Sequence, residues 1–161
     1  MLSGLFCSFV YLFVAWDACQ THHIIKYTPE PVIETETHVL YWDRTIRTDR
    51  ETPCNQPDIT VYDKETGRVQ LVDIAVPGVS NMRNTHTEKT RKYRELAEQM
   101  RKVWRATSVE IIPIILSSNG LVHKEVKNGP KKLGLQEHLV TRMQKSVIIN
   151  SCGLVRRVLG E

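Results

Sequence analysis

Two aspartates are the residues of this chain best suited to chemistry. Asp58 stands in Asn55-Gln56-Pro57-Asp58-Ile59 and Asp73 in Leu71-Val72-Asp73-Ile74-Ala75-Val76, with fourteen residues between them. A turn sequence, Asp63-Lys64-Glu65-Thr66-Gly67, divides that interval, so the flanking segments read as two strands of a hairpin carrying both carboxylates on one sheet. Two carboxylates so placed can hold a divalent cation, Mg²⁺ or Mn²⁺, with the backbone carbonyl of Ile74 as a further oxygen ligand. Hydrolysis of a phosphodiester needs an activated water and neutralisation of charge on the pentavalent transition state. A carboxylate-held cation supplies both, and a nearby lysine orients the water or stabilises a non-bridging oxygen. Lys89 and Lys92 are the candidates for that lysine, and spacing alone does not choose between them.

The elements around these residues follow from periodicity. The run 39–46 is rich in β-branched and aromatic residues and predicts a first strand, with 58–62 and 68–76 as the second and third. The third is continuously apolar apart from Asp73, as expected of a strand covered on both faces. A carboxylate buried there requires a cationic partner or a metal; the alternative is an edge-facing aspartate paired with an arginine. Residues 84–107 predict one long amphipathic helix, capped by Thr85 or Thr87, with Glu88 in its first turn and Tyr93, Leu96, Met100 and Val103 or Trp104 on its buried stripe. Lys89 lies one turn ahead of Tyr93 on that stripe and Lys92 one turn before Leu96, so both ammonium groups can reach the aspartates. A fourth strand, 109–116, contains Pro113, which assigns it to an edge or a bulge. Residues 135–159 predict a helix broken near 150–153. The architecture is therefore α/β, a central mixed sheet of about four strands flanked by helices.

Composition suits one globular domain: 161 residues, 41% apolar and 25% charged, which argues against a disordered chain. Net charge is +4, but the cations are uneven. Eight Lys or Arg against three Glu lie between Arg83 and Arg105, and Lys124, Lys127, Lys131 and Lys132 follow. A solvated helix face explains such a run on its own. Beside a carboxylate pair, Arg83, Arg91, Arg94, Lys131 and Lys132 become candidates for binding nucleic-acid phosphates. The four cysteines show no zinc-site spacing and fit a reducing compartment. The segment 1–22 begins with sixteen almost wholly apolar residues, short of the roughly 20 that span a bilayer and without the basic start of a signal peptide. It reads as foreign to the domain, such as a fusion scar or a mispredicted first exon, and leaves 23–161 as the folded unit.

The order of these motifs resembles the PD-(D/E)xK restriction-endonuclease-like core. More closely, Asn55-Gln56-Pro57-Asp58-Ile59, Leu71-Val72-Asp73-Ile74-Ala75-Val76-Pro77 and Glu88-Lys89-Thr90-Arg91-Lys92-Tyr93 resemble the endonuclease domain found C-terminal to reverse transcriptase in early-branching non-LTR retrotransposons. The resemblance implies a Mg²⁺- or Mn²⁺-dependent endonuclease that nicks target DNA, catalytic Asp58, Asp73 and Lys89 or Lys92, and DNA or an RNA–DNA intermediate as partner. It implies no small-molecule cofactor, no membrane, and a nuclear or cytoplasmic location. In the simplest form of the motif the lysine follows the second acid by two residues, where this chain has Ala75. The retrotransposon branch resembles this chain in moving the lysine to the following helix. Glu88 and Tyr93 are accessory candidates. The competing readings are a nucleic-acid-binding relic of the same fold that no longer cuts, and a membrane-anchored protein led by residues 1–16.

Overall fold

The structure is a computed structural model that describes residues 30–50, 52–122, 132–133 and 137–160. The apolar segment 1–22 and Lys131 lie outside the described residues. Five strands form one sheet in sequential order: β1 (Val32–Glu34), β2 (His38–Trp42), β3 (Ile59–Asp63), β4 (Arg68–Ala75) and β5 (Ser108–Ile115). The first four are antiparallel neighbours, and β5 returns parallel to β4 after a helical crossover. The crossover holds a short 3-10 turn (Val79–Asn81), α1 (Met82–Lys92) and α2 (Arg94–Val103); α3 (Glu137–Leu159) follows β5. This mixed five-stranded sheet flanked by helices is compatible with a restriction-endonuclease-like core.

Register decides which side chains share a face. The rungs Thr60↔Leu71 and Tyr62↔Val69, continued by Val69↔Val109 and Leu71↔Ile111, place one set of residues under α1 and α2. There Val69, Leu71, Tyr93, Leu96, Ala97, Met100 and Val109 form a buried cluster, with Trp104 against its margin. The alternate residues Leu40, Ile59, Val61, Val72, Ile112 and Ile114 face the other way, against Leu139, Met143 and Val147 of α3. Both faces of β4 are covered, which explains the unbroken apolar run on either side of Asp73.

The β3–β4 turn is built by its own side chains. The carboxylate of Asp63 accepts the backbone N–H groups of Glu65 and Thr66 at 2.9 and 3.1 Å. Partial burial pushes its pKa up, but these hydrogen bonds and that of the Thr66 hydroxyl prevail and hold it below the usual carboxylate value. Gly67 closes the turn at φ +67°, where a Cβ would lie 2.8 Å from the Thr107 hydroxyl oxygen.

Several boundaries differ from the sequence expectation. The lead-in containing Pro31 contributes β1, so the sheet has five strands. The strand expected over 39–46 stops at Trp42 because Asp43 turns into the left-handed region at φ 45°. Asp58 stands just before β3 and not within it. The helix expected over 84–107 begins earlier, at Met82, continuing directly from the 3-10 turn. Thr87 therefore lies inside α1 and bonds back to the Arg83 carbonyl at 3.1 Å, and Asn81 takes the cap position without a side-chain bond. The same helix is interrupted at Tyr93, which has φ −97° and ψ 6°. No proline or glycine is present there; the interruption coincides with a fully buried tyrosine whose hydroxyl is tied into the sheet. Conversely, α3 runs without the break expected near 150–153. Asn150 bonds back to the Ser146 carbonyl at 2.9 Å, and the helix tolerates Gly153 at a cost of about 1 kcal/mol relative to alanine. Pro113 sits in β5, the last strand of the sheet, where a missing N–H disrupts least.

Candidate metal and phosphate site

The site forms where β3 begins and β4 ends, beneath α1. The rung Ile59↔Val72 is the last paired one, so one step further Asp58 comes opposite Asp73, both on the face beneath α1 and α2. Two contacts hold the Asp58 segment in that position. Its carbonyl accepts the Asp43 N–H at 2.8 Å, and the Gln56 side chain donates to the Asp43 carboxylate at 2.8 Å. Past the start of β3 the N–H of Ile74 lacks a strand partner, and Asp58 Oδ2 takes it at 2.6 Å. In an extended strand a residue's carbonyl points to the same side as its N–H, so the Ile74 carbonyl also faces the Asp58 side.

Asp73 is buried, and its two oxygens differ. Oδ1 accepts the Tyr93 hydroxyl at 2.7 Å, with the Lys92 ammonium 4.0 Å away. Oδ2 is approached by the Lys89 ammonium at 2.6 Å yet accepts no bond of hydrogen-bond geometry. The Tyr93 oxygen in turn is 2.8 Å from Lys92 Nζ and 3.1 Å from the Gln56 carbonyl. A buried carboxylate oxygen with an open lone pair, beside a second carboxylate, fits a hard divalent cation. Asp58, Asp73 and the Ile74 carbonyl are the residues that would hold it.

The electrostatics agree with that arrangement. Burial pushes the Asp58 pKa above the usual carboxylate value; the Ile74 N–H opposes this, and repulsion from Asp73 adds to it. Burial likewise raises Tyr93 well above the ordinary phenol value, reinforced by its hydrogen bond to Asp73 and the surrounding negative charge. Tyr93 therefore remains a proton donor throughout the neutral range.

The structure brings Asp58, Asp73, Ile74, Lys89, Lys92 and Tyr93 together. Among the described residues, no group of three His, Cys, Asp or Glu side chains assembles. Glu88 is exposed, as are Arg83, Arg91 and Arg94 on α1 and α2. Lys132 is elsewhere: its ammonium pairs with Glu110 at 2.6 Å, and Glu110 belongs to the Gln70 rung, whose side chains face away from the aspartates. The partners in Asp73's pocket are thus lysine and tyrosine, where an arginine was the alternative. Asp43 and Gln56 carry no signal in the sequence. Their roles, the positive φ of Asp43, the Gln56 amide on its carboxylate and the Gln56 carbonyl beside Tyr93, appear only once the chain is folded.

A domain of mixed α/β architecture with two apposed aspartates and a lysine-bearing helix is the class this geometry defines. No protein-family model matches the chain. It is 27% identical over 139 residues, 84% of its own length, to a "Retrovirus-related Pol polyprotein from type-1 retrotransposable element R2" of Bradysia coprophila. The match spans 14% of that polyprotein. The similarity supports a non-LTR retrotransposon origin. Among the described residues no helix is long and apolar enough to cross a membrane.

Proposed function

We infer that this chain is a PD-(D/E)xK-type DNA endonuclease domain of retrotransposon origin, which hydrolyses a phosphodiester bond with the help of Mg²⁺ or Mn²⁺. The observation that carries the reading is the buried Oδ2 of Asp73, which accepts no hydrogen bond and has only the Lys89 ammonium against it, opposite Asp58. The similarity to a retrotransposon Pol polyprotein supports nucleic acid as the substrate class.

When bound, the cation supplies Lewis-acid stabilisation of the phosphate and acidification of a water. The protein's share is positioning. Asp58 is oriented by the Ile74 N–H on Oδ2, which leaves Oδ1 for the cation. Asp73 is oriented from behind by Tyr93. Lys89, about one-quarter exposed, lies between buried carboxylate and solvent, where its ammonium can meet a phosphate oxygen as charge develops. The exposed Arg83, Arg91 and Arg94 on the same two helices provide cations for flanking phosphates.

Nicking of supercoiled plasmid by the full chain tests this reading. Nicking in Mg²⁺ that stops on addition of EDTA is expected. A mobility shift of DNA without any nicking would instead assign a binding module that retains the fold.

A further inference from the structure

The site contains two lysines within reach of one carboxylate, and their surroundings divide the work between them. Lys92 Nζ lies 2.8 Å from the Tyr93 oxygen. An ammonium can only donate, so at that contact the tyrosine oxygen is the acceptor. The single hydroxyl proton must then go to another atom. Two acceptors are in range, Asp73 Oδ1 at 2.7 Å and the Gln56 carbonyl at 3.1 Å. The carboxylate is nearer and charged, and a charge-assisted bond is the stronger. The result is a directed chain, Lys92 to Tyr93 to Asp73 Oδ1, in which each bond polarises the next.

We propose that Lys92 and Tyr93 act as a clamp on Oδ1 of Asp73 that presents Oδ2 to the divalent cation, leaving Lys89 as the lysine available to the phosphate. This rests on the metal-dependent reading above and adds to it the assignment of the two lysines. Three features make the clamp rigid. Tyr93 has no solvent exposure, so water does not compete for its hydroxyl. It sits at the junction of α1 and α2, held by its N–H to Arg91 and by its carbonyl to the Ala97 N–H. The Lys92 side chain folds back so that its ammonium lies 4.6 Å from the centre of the Tyr93 ring, a cation–π contact that keeps it on the tyrosine. Lys89 is held differently, through its ion pair to Oδ2, the oxygen that a cation would claim. Tyr93 and Lys92 are therefore positioning residues, acting through Asp73.

Calorimetric titration of the purified full chain with Mn²⁺ separates the roles. Orienting contacts behind a metal ligand are worth about 10–100-fold in affinity. Tyr93→Phe, which keeps the ring and deletes the donor, is expected to weaken Mn²⁺ binding by about tenfold, the lower end of that range. Lys92→Met should weaken it in the same direction by less, and Lys92→Arg, which restores a donor to the tyrosine oxygen, should recover it. Lys89→Met should bind Mn²⁺ at least as tightly as the wild type while losing plasmid nicking at saturating Mn²⁺. Mn²⁺ affinity unchanged in both Tyr93→Phe and Lys92→Met would overturn the clamp, whatever either variant does to the urea midpoint. If Tyr93→Phe does not fold, the partly exposed Lys92 decides. A wild-type chain that takes up no Mn²⁺ would overturn the metal reading and the clamp with it. A wild type that binds Mn²⁺ and nicks, with unaltered binding in the variants, would overturn the clamp alone.

Discussion

At the scale of single residues the two aspartates of the site are held differently. Asp58 has a raised pKa because burial, and then Asp73, disfavour its ionised form, despite the Ile74 N–H. A carboxyl whose folded pKa lies above its unfolded value contributes stability below the unfolded pKa and loses that contribution as pH rises through the folded one. Ionising Asp58 in the metal-free protein therefore costs stability as pH rises. Asp58→Asn should melt at a higher temperature than wild type in EDTA at neutral pH, with the difference shrinking as pH falls into the carboxylate range, as read by thermal denaturation. Asp73 differs, because its charge is paired. Asp73→Ala leaves the buried Tyr93 hydroxyl without its anionic acceptor and should cost about 1–3 kcal/mol in urea unfolding. Both aspartates and both lysines were legible in the sequence, since a lone acid in an apolar strand and lysines on a helical stripe are unusual enough to notice. Gln56 and Asp43 were not, because they act through a backbone turn, a carbonyl and a contact with each other across thirteen residues, none of which leaves a local pattern.

At the scale of elements, the hairpin and the helical crossover were legible because local signals and tertiary demands agree there. The turn residues 63–67 point to the hairpin, and the stripe Tyr93, Leu96, Met100 and Trp104 does cover the sheet. Gly67 carries the turn's conformation, and Gly67→Ala should cost about 1–2 kcal/mol in the same unfolding assay, from left-handed strain as well as from contact with Thr107. The places where expectation and structure part are those where tertiary contacts decide. Tyr93 looks like an ordinary helix position until its hydroxyl is seen tied to Asp73, and the interruption between α1 and α2 coincides with that anchoring. Asn150 and Gly153 look like a break, yet the ladder of α3 continues through them. β1 is only three residues long and begins after a proline, too short to show any period.

At the scale of the whole molecule, a sheet covered on both faces offers one end for chemistry, and the exposed arginines of α1 and α2 lie on the aspartates' side of it. Charge there should steer and hold a polyanion. Replacing Arg91 and Arg94 together with glutamate should weaken DNA binding at low salt. It should also reduce the slope of log affinity against log salt by about one for each phosphate no longer neutralised. Lys132, engaged with Glu110 on the far face, should contribute nothing to that slope. Fluorescence anisotropy across a salt series reads both. The proposed chemistry depends above all on Asp58 and Asp73 acting as a pair. Its most direct test is the Mg²⁺-dependent nicking of supercoiled plasmid by the wild-type chain beside Asp58→Ala and Asp73→Ala, each checked for folding by circular dichroism. Nicking by the wild type and none above background by either folded variant is the expected result; nicking at the wild-type rate by either one would contradict the two-aspartate site.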